Sequence, residues 1–352
     1  MSRPILSAIL SCKSDSLTDE ERYLFAKYNP LGINLFSRNL KSKEQTKKLI
    51  EDIKNVINRD DVLIAVDQEG GRVNRLQTIC SQQYASAKQL AMRDVKYTKY
   101  HAMLISKELN NLGINLNYSP VVDIENNSSV MEGRSFGKDA DTIVKYAKTT
   151  ADEYINQGIC PCIKHIPGHF SNKNDPHLQQ MIVDLPRNEI EKNIEYIKNF
   201  SKYPMVMVSH VILSDIDSDN PVTTSYKVVN ELIRGYLEID GLIISDAIDM
   251  QALKGSILEK TINTLDAGVD VVCYCSGKIE ELYSICQEER FMTEKSLNRF
   301  DKIKKIINNT NKWTGDNLIL EQYNKEFQED FKYQYTYDAT ETLEKMLKKG
   351  EN

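Results

Sequence analysis

Three of the five histidines in this chain fall in one stretch, Lys164-His165-Ile166-Pro167-Gly168-His169-Phe170-Ser171-Asn172-Lys173-Asn174-Asp175-Pro176-His177. Imidazole is the side chain whose ordinary pKa lies nearest neutrality, so it can trade protons there. In Asp175-Pro176-His177 the carboxylate can orient the ring of His177 and help keep it charged, which makes an acid/base pair. The same tripeptide is also strong turn chemistry that needs no catalytic duty. A metal reading of His165-x-x-x-His169 with Asp175 needs both rings on one helix face, and Pro167-Gly168 between them opposes a helix. Asp246 leaves another apolar run, Gly241-Leu242-Ile243-Ile244-Ser245. Such a carboxylate can act as nucleophile or general base, or simply cap a helix that follows.

Further polar groups accompany these. Asp67 with Arg75 and Lys164 would make a clamp for a polyol, the carboxylate accepting from hydroxyls and the cations donating to them. Gly70-Gly71 permits positive φ or close approach of the backbone. Arg72 and Arg75 also fit a solvated surface pair, the commoner fate of arginine. His101, beside Met103 and Leu104 in a helical stretch, reads as structural, and His210 is open to either role.

Something rigid must position these residues. Apolar runs recur at Ile5–Cys12, Gly32–Phe36, Val62–Val66, Ile114–Val122, Ile159–Ile163, Met205–Val208, Leu242–Ile244 and Val269–Cys273. Continuous apolar runs of this length suit strands buried on both faces, as in parallel sheets. Helical spacing fills the gaps. Leu49, Ile50, Ile53, Val56 and Ile57 form one stripe behind a Ser42/Gln45 capping box, and Ile190, Ile194 and Ile197 form another after Pro186. Eight rounds of strand and helix predict an α/β fold, a single (β/α)8 TIM barrel. An open doubly wound sheet is less apt, because no G-x-G-x-x-G turn is present. The polar residues sit where a barrel needs them, just after strands: Ser37-Arg38-Asn39, Asp67, Asp123, Lys164-His165, Ser209-His210 and Ser245-Asp246. Their convergence on one rim is barrel active-site geometry.

Composition removes other classes. Of 352 residues, 41% are hydrophobic, enough for a real core. Lysines and arginines number 45 against 51 acids, a net charge of −6 without basic blocks, so nucleic acid is not an expected partner. No apolar run approaches a membrane span, and the N-terminus reads as a first strand rather than a leader. The seven cysteines include two C-x-C pairs, Cys160/Cys162 and Cys273/Cys275, whose thiols share a strand face. Reduced buried thiols fit better than zinc, which favours turn-borne spacing. We expect no cofactor, no metal, a cytoplasmic location and a monomer. The barrel domain is placed at residues 1–330, with a charged tail at 331–352 in which Leu343, Met346 and Leu347 are spaced as an amphipathic helix.

Taken together, Val66-Asp67-Gln68-Glu69-Gly70-Gly71-Arg72-Val73, Gly133-Arg134-Ser135-Phe136-Gly137, Lys164-His165-Ile166-Pro167-Gly168-His169 and Ile244-Ser245-Asp246 resemble family 3 glycoside hydrolases. The Asp175-x-His177 loop resembles the bacterial β-N-acetylglucosaminidase branch, enzymes of cell-wall peptidoglycan recycling. The resemblance implies a retaining, two-step hydrolysis that releases terminal N-acetylglucosamine from muropeptides. Asp246 matches the nucleophile, and His177 the general acid/base with Asp175 as its partner. Asp67, Arg75, Arg134, Lys164 and His165 match the positions that hold the sugar. Two residues depart from the pattern, Phe170 where a glycine is usual and Pro176 where a serine is usual, and both stiffen the loop. The larger family members carry a second α/β domain, which is not expected here. Two other readings are a Schiff-base aldolase built on Lys164 and a sugar-binding barrel without turnover.

Overall fold

The computed structural model describes residues 3–125, 131–170, 181–309, 313 and 315–332. Every one of the eight apolar runs overlaps a strand. They are β1 (Leu6–Ser11), β2 (Pro30–Leu35), β3 (Leu63–Val66), β4 (Leu116–Asn117), β5 in two pieces (Cys160–Pro161 and Ile163–Ile166), β6 (Met205–Val208), β7 (Leu242–Ala247) and β8 (Val271–Cys273). All pair in parallel, in the order β4-β3-β2-β1-β8-β7-β6. Strand β5 closes the ring, its first piece pairing with β4 and its second with β6. The expected barrel is therefore present as a single closed sheet, and the open doubly wound alternative is excluded.

Alternation along the strands explains why the runs are apolar without a break. Ile9, Leu63, Ala65, Leu116, Cys160, Cys162, Met205, Met207, Leu242, Ile244, Val271 and Cys273 fill the barrel interior. Their neighbours Leu10, Ile64, Val206, Val208, Ile243 and Val272 belong to the outer core shared with the helices. Because side chains alternate with a period of two, both faces need apolar residues. Met292, Phe300 and Ile303, from the segment that ends in the helix Glu294–Ile307, join the interior cluster. The two C-x-C pairs lie in that interior, and all seven cysteines are free thiols.

The helix Lys43–Ile57 buries Leu49, Ile50, Ile53 and Ile57 and starts at Ser42, whose hydroxyl accepts from Gln45 N–H. The reciprocal half of the capping box is shifted: the Gln45 carbonyl accepts from Lys41 rather than Ser42. The helix Arg187–Ile194 follows Pro186 and buries Ile190 and Ile194, as spaced. No helix among the described residues is long and apolar enough to cross a membrane. After the barrel, the helix Asn317–Phe327 packs on Val95–Leu112 through the buried Tyr323 and Phe327. Leu343, Met346 and Leu347 lie outside the described residues.

Candidate active site

At the carboxyl end of β3 the chain places Asp67 and Glu69, and both meet Lys164 from β5. Lys164 Nζ lies 2.6 Å from Asp67 Oδ1 and 2.7 Å from Glu69 Oε1. Arg134 donates twice to Glu69, from Nε at 2.8 Å and Nη2 at 2.7 Å. Burial raises the pKa of Glu69, but the two cations outweigh it and hold the carboxyl well below the usual range. Burial lowers the pKa of Lys164, and Asp67 and Glu69 more than restore it, so the ammonium stays charged. A protonated, doubly paired lysine has no free lone pair for imine formation, which removes the aldolase reading.

Neighbouring backbone supports this network. Asn117 of β4 accepts from Gln68 N–H and donates to Gln68 O, pinning the chain between Asp67 and Glu69. Gly70 and Gly71 have φ of 95° and 57°. A Cβ on Gly70 would lie 2.4 Å from Ala85 O and 2.7 Å from His101 Cε1, so close packing of the turn requires the glycine. His101 is structural, as its helical setting suggested. Its Nε2 lies 3.2 Å from the Glu69 carbonyl and its Nδ1 2.8 Å from the Tyr323 hydroxyl. A carbonyl only accepts, so Nε2 carries the proton and Tyr323 O–H donates to Nδ1.

Across the mouth, the end of β5 presents His165 and the following turn presents His169. The rings are buried, with centroids 4.3 Å apart. They meet on Asp123, which follows β4. Asp123 Oδ2 accepts from the His165 backbone N–H at 3.0 Å and lies 2.8 Å from its Nδ1. Asp123 Oδ1 accepts from the His169 backbone N–H at 2.7 Å and lies 3.0 Å from its Nδ1. The sequence argument that bringing these two rings to one metal site needs a helix is thus corrected: a turn brings them together on Asp123; Asp175 lies outside the described residues. Asp123, His165 and His169 could hold a metal ion by their proximity. The Asp123 oxygens, however, already accept from two backbone N–H groups, and each lies at hydrogen-bond distance from one ring Nδ1, so the set fits a hydrogen-bonded cluster better than an open cation site.

Asp246 stands half-buried near the end of β7, with Oδ1 accepting from Ala247 N–H at 2.7 Å. The next helix start that Ser256 caps lies ten positions on, so the helix-cap reading of Asp246 is overturned. Burial opposes its charge, but the fields of His165 and His210, the Ala247 N–H and His169 hold it well below the usual carboxylate range. His210 leaves the end of β6, with Nδ1 2.7 Å from Thr223 Oγ1 and Nε2 3.0 Å from Ala247 O. It therefore braces the residue next to Asp246. Burial pulls His165 down to about 4 and also lowers His210, so both rings are neutral at neutral pH.

Of the residues expected to form the site, Asp67, Arg134, Lys164, His165 and Asp246 come together at one mouth. Arg75 is buried, against the surface-pair reading, with its guanidinium 5.6 Å from the centroid of the Phe36 ring. Asp175 and His177 lie outside the described residues. Sequence reasoning gave Glu69 no role, placed Asp123 on the rim without one, and weighed His169 only as a metal ligand. Glu69 stood two places from Asp67 and Asp123 ended a strand run, but neither residue type nor spacing revealed their partners. Beside His169 a cavity of about 420 Å³ is lined by Ile124, Phe170, Val183, Leu185 and Tyr196, among others.

Residues 7–307 match the family model described as Glycosyl hydrolase family 3 N terminal domain. A beta-hexosaminidase of Glaesserella parasuis serovar 5 (strain SH0165) is 30% identical over 292 residues, covering 79% of this chain and 85% of its own. Two solved structures share the fold. A glycoside hydrolase family 3 beta-N-acetylglucosaminidase from Paenibacillus sp. str. FPU-7 has a TM-score of 0.80 at 24% identity, covering 91% of this chain and 66% of that one. NagZ from Neisseria gonorrhoeae in complex with N-trifluoroacetyl-D-glucosamine has a TM-score of 0.77 at 23% identity, covering 92% and 94%.

Proposed function

Because the chain belongs to glycoside hydrolase family 3 and is of the β-N-acetylhexosaminidase type, we propose that Asp246 is its nucleophile and that it removes terminal N-acetylglucosamine from muropeptides in the cytoplasm. The observation that carries this reading is an ionised carboxylate at the end of β7, facing a mouth lined by His165 and by the Asp67–Lys164–Glu69–Arg134 network. The network offers both acceptors and donors to sugar hydroxyls while staying internally paired. Asp246 attacks the anomeric carbon as the glycosidic bond breaks, giving a covalent glycosyl-enzyme that water then opens with net retention.

The leaving oxygen needs a proton. Among the described carboxylates at the mouth, Asp67 and Glu69 are paired to cations and Asp123 accepts from two backbone N–H groups beside two imidazole nitrogens, so none of these three is suited to carry it. This supports the assignment of the acid/base to His177 with Asp175 as its partner. A carboxylate neighbour favours imidazolium for the first step, and the neutral ring left behind activates water for the second.

Incubation with an anhydro-muropeptide and with a chromogenic β-N-acetylglucosaminide tests the proposal. Release of free N-acetylglucosamine, lost in Asp246→Asn, is the expected result. Binding without release would reject it in favour of a sugar-binding barrel.

A further inference from the structure

We propose that Asp123 is a positioning residue that holds His165 and His169 together as Nδ1–H tautomers, so that both rings present Nε2 to the substrate as hydrogen-bond acceptors. This rests on the reading of the mouth as the sugar site and specifies how one wall of it recognises hydroxyl or amide donors.

The argument is a count of protons. Asp123 is buried, and its two oxygens face four nitrogens, two of them backbone N–H groups. Burial raises its pKa, but His169 and His165 outweigh that and keep it a carboxylate, which can only accept. Each Nδ1 at 2.8 and 3.0 Å must therefore be the donor. With His165 neutral at neutral pH, its Nε2 bears a lone pair. Among the described residues, the titratable groups that face these rings are Asp123, Asp246, His210 on the His169 side, and each other. No hydrogen bond among the described residues occupies either Nε2. A wall of two acceptors beside the carboxylate of Asp246 repels anions and selects a ligand that donates at each point, as a sugar does. It also means that the neutral His165 ring does not supply the proton for the leaving group.

Nitrogen-15 spectra of the histidine side chains of the full chain, recorded at neutral pH, read the tautomers directly. His165→Gln and His169→Gln each remove one signal set and so assign them. Both rings are expected as Nδ1–H, and addition of N-acetylglucosamine is expected to shift both unprotonated Nε2 resonances. In Asp123→Asn the amide can accept from one ring only. The other is expected to switch to Nε2–H, and KM for the chromogenic glycoside to rise roughly tenfold or more, with a smaller change in kcat. An Nε2–H ring in the wild type overturns the proposal, whether or not Asp123→Asn folds. A tautomer switch without a rise in KM also overturns it. Should the wild type bind the sugar with both Nε2 shifts but release no product, the hydrolase reading fails and the two-acceptor wall stands.

Discussion

Lys164 and Asp67 meet at 2.6 Å although 97 positions separate them, joining the end of β5 to the end of β3 across the barrel mouth. The Lys164 side chain is 3% exposed and also holds Glu69, which is itself 7% exposed. Removing one partner of a buried ion pair leaves the other uncompensated.

Lys164→Met should therefore destabilise the chain by about 3–5 kcal/mol, and Lys164→Met with Glu69→Gln should recover part of that loss. Urea unfolding curves of the two variants measure it. A single variant as stable as the wild type would show that the network does not support the fold.

For Asp246, the expectation is a loss of turnover by several orders of magnitude in Asp246→Asn, with the fold intact. In the wild type a fluoro-sugar inactivator should label this residue, found by mass mapping of peptides. A label on any other side chain would remove Asp246 as the nucleophile.

His101 and His165 are held by burial at about 4, against 6.5 for an exposed ring. Between pH 6.5 and 4 the unfolded chain takes up protons that the fold refuses. Their contribution is thus complete above pH 6.5 and is lost as pH falls toward 4, at about 3 kcal/mol per ring. Asp123, Glu69 and Asp246 are held low. Their contribution is complete above the ordinary carboxylate pKa and is lost in a second stage below pH 4. Thermal melts across pH should show Tm falling in these two stages, and His101→Gln should flatten the first. A Tm that stays level from pH 6.5 to 4 would contradict the assignment.

Phe170, the residue where the family usually has glycine, adopts φ of 53°. That left-handed conformation costs a bulky residue roughly 1–2 kcal/mol. Its ring packs partly buried against the core and lines the cavity beside His169. Phe170→Gly relieves the strain and loses the packing, so stability should change by no more than about 1 kcal/mol. The affinity effect should be selective, with KM rising for aryl glycosides and little for a methyl glycoside. An equal change for both, or a higher kcat at unchanged KM, would instead favour the ring as a brake on the loop; Pro176, the second departure, is then to be tested as Pro176→Ser.

Strand runs, helix stripes and the barrel were legible because burial on two faces leaves a local signature: Met205–Val208 is apolar at every position since each neighbour faces a different core. The positions of Asp67, Lys164, His165 and Asp246 were legible for a related reason, as strand ends in a barrel share one rim, whereas Arg134 was reached through the family resemblance alone. Partnerships were not. That Glu69 bridges Arg134 and Lys164, that Asp123 joins two histidines, and that Arg75 is buried near the Phe36 ring depend on distances between segments far apart in sequence. No local period encodes those distances. Charge and tautomer follow from them in turn, because a carboxylate or an imidazole takes its protonation from whatever the closed barrel sets beside it.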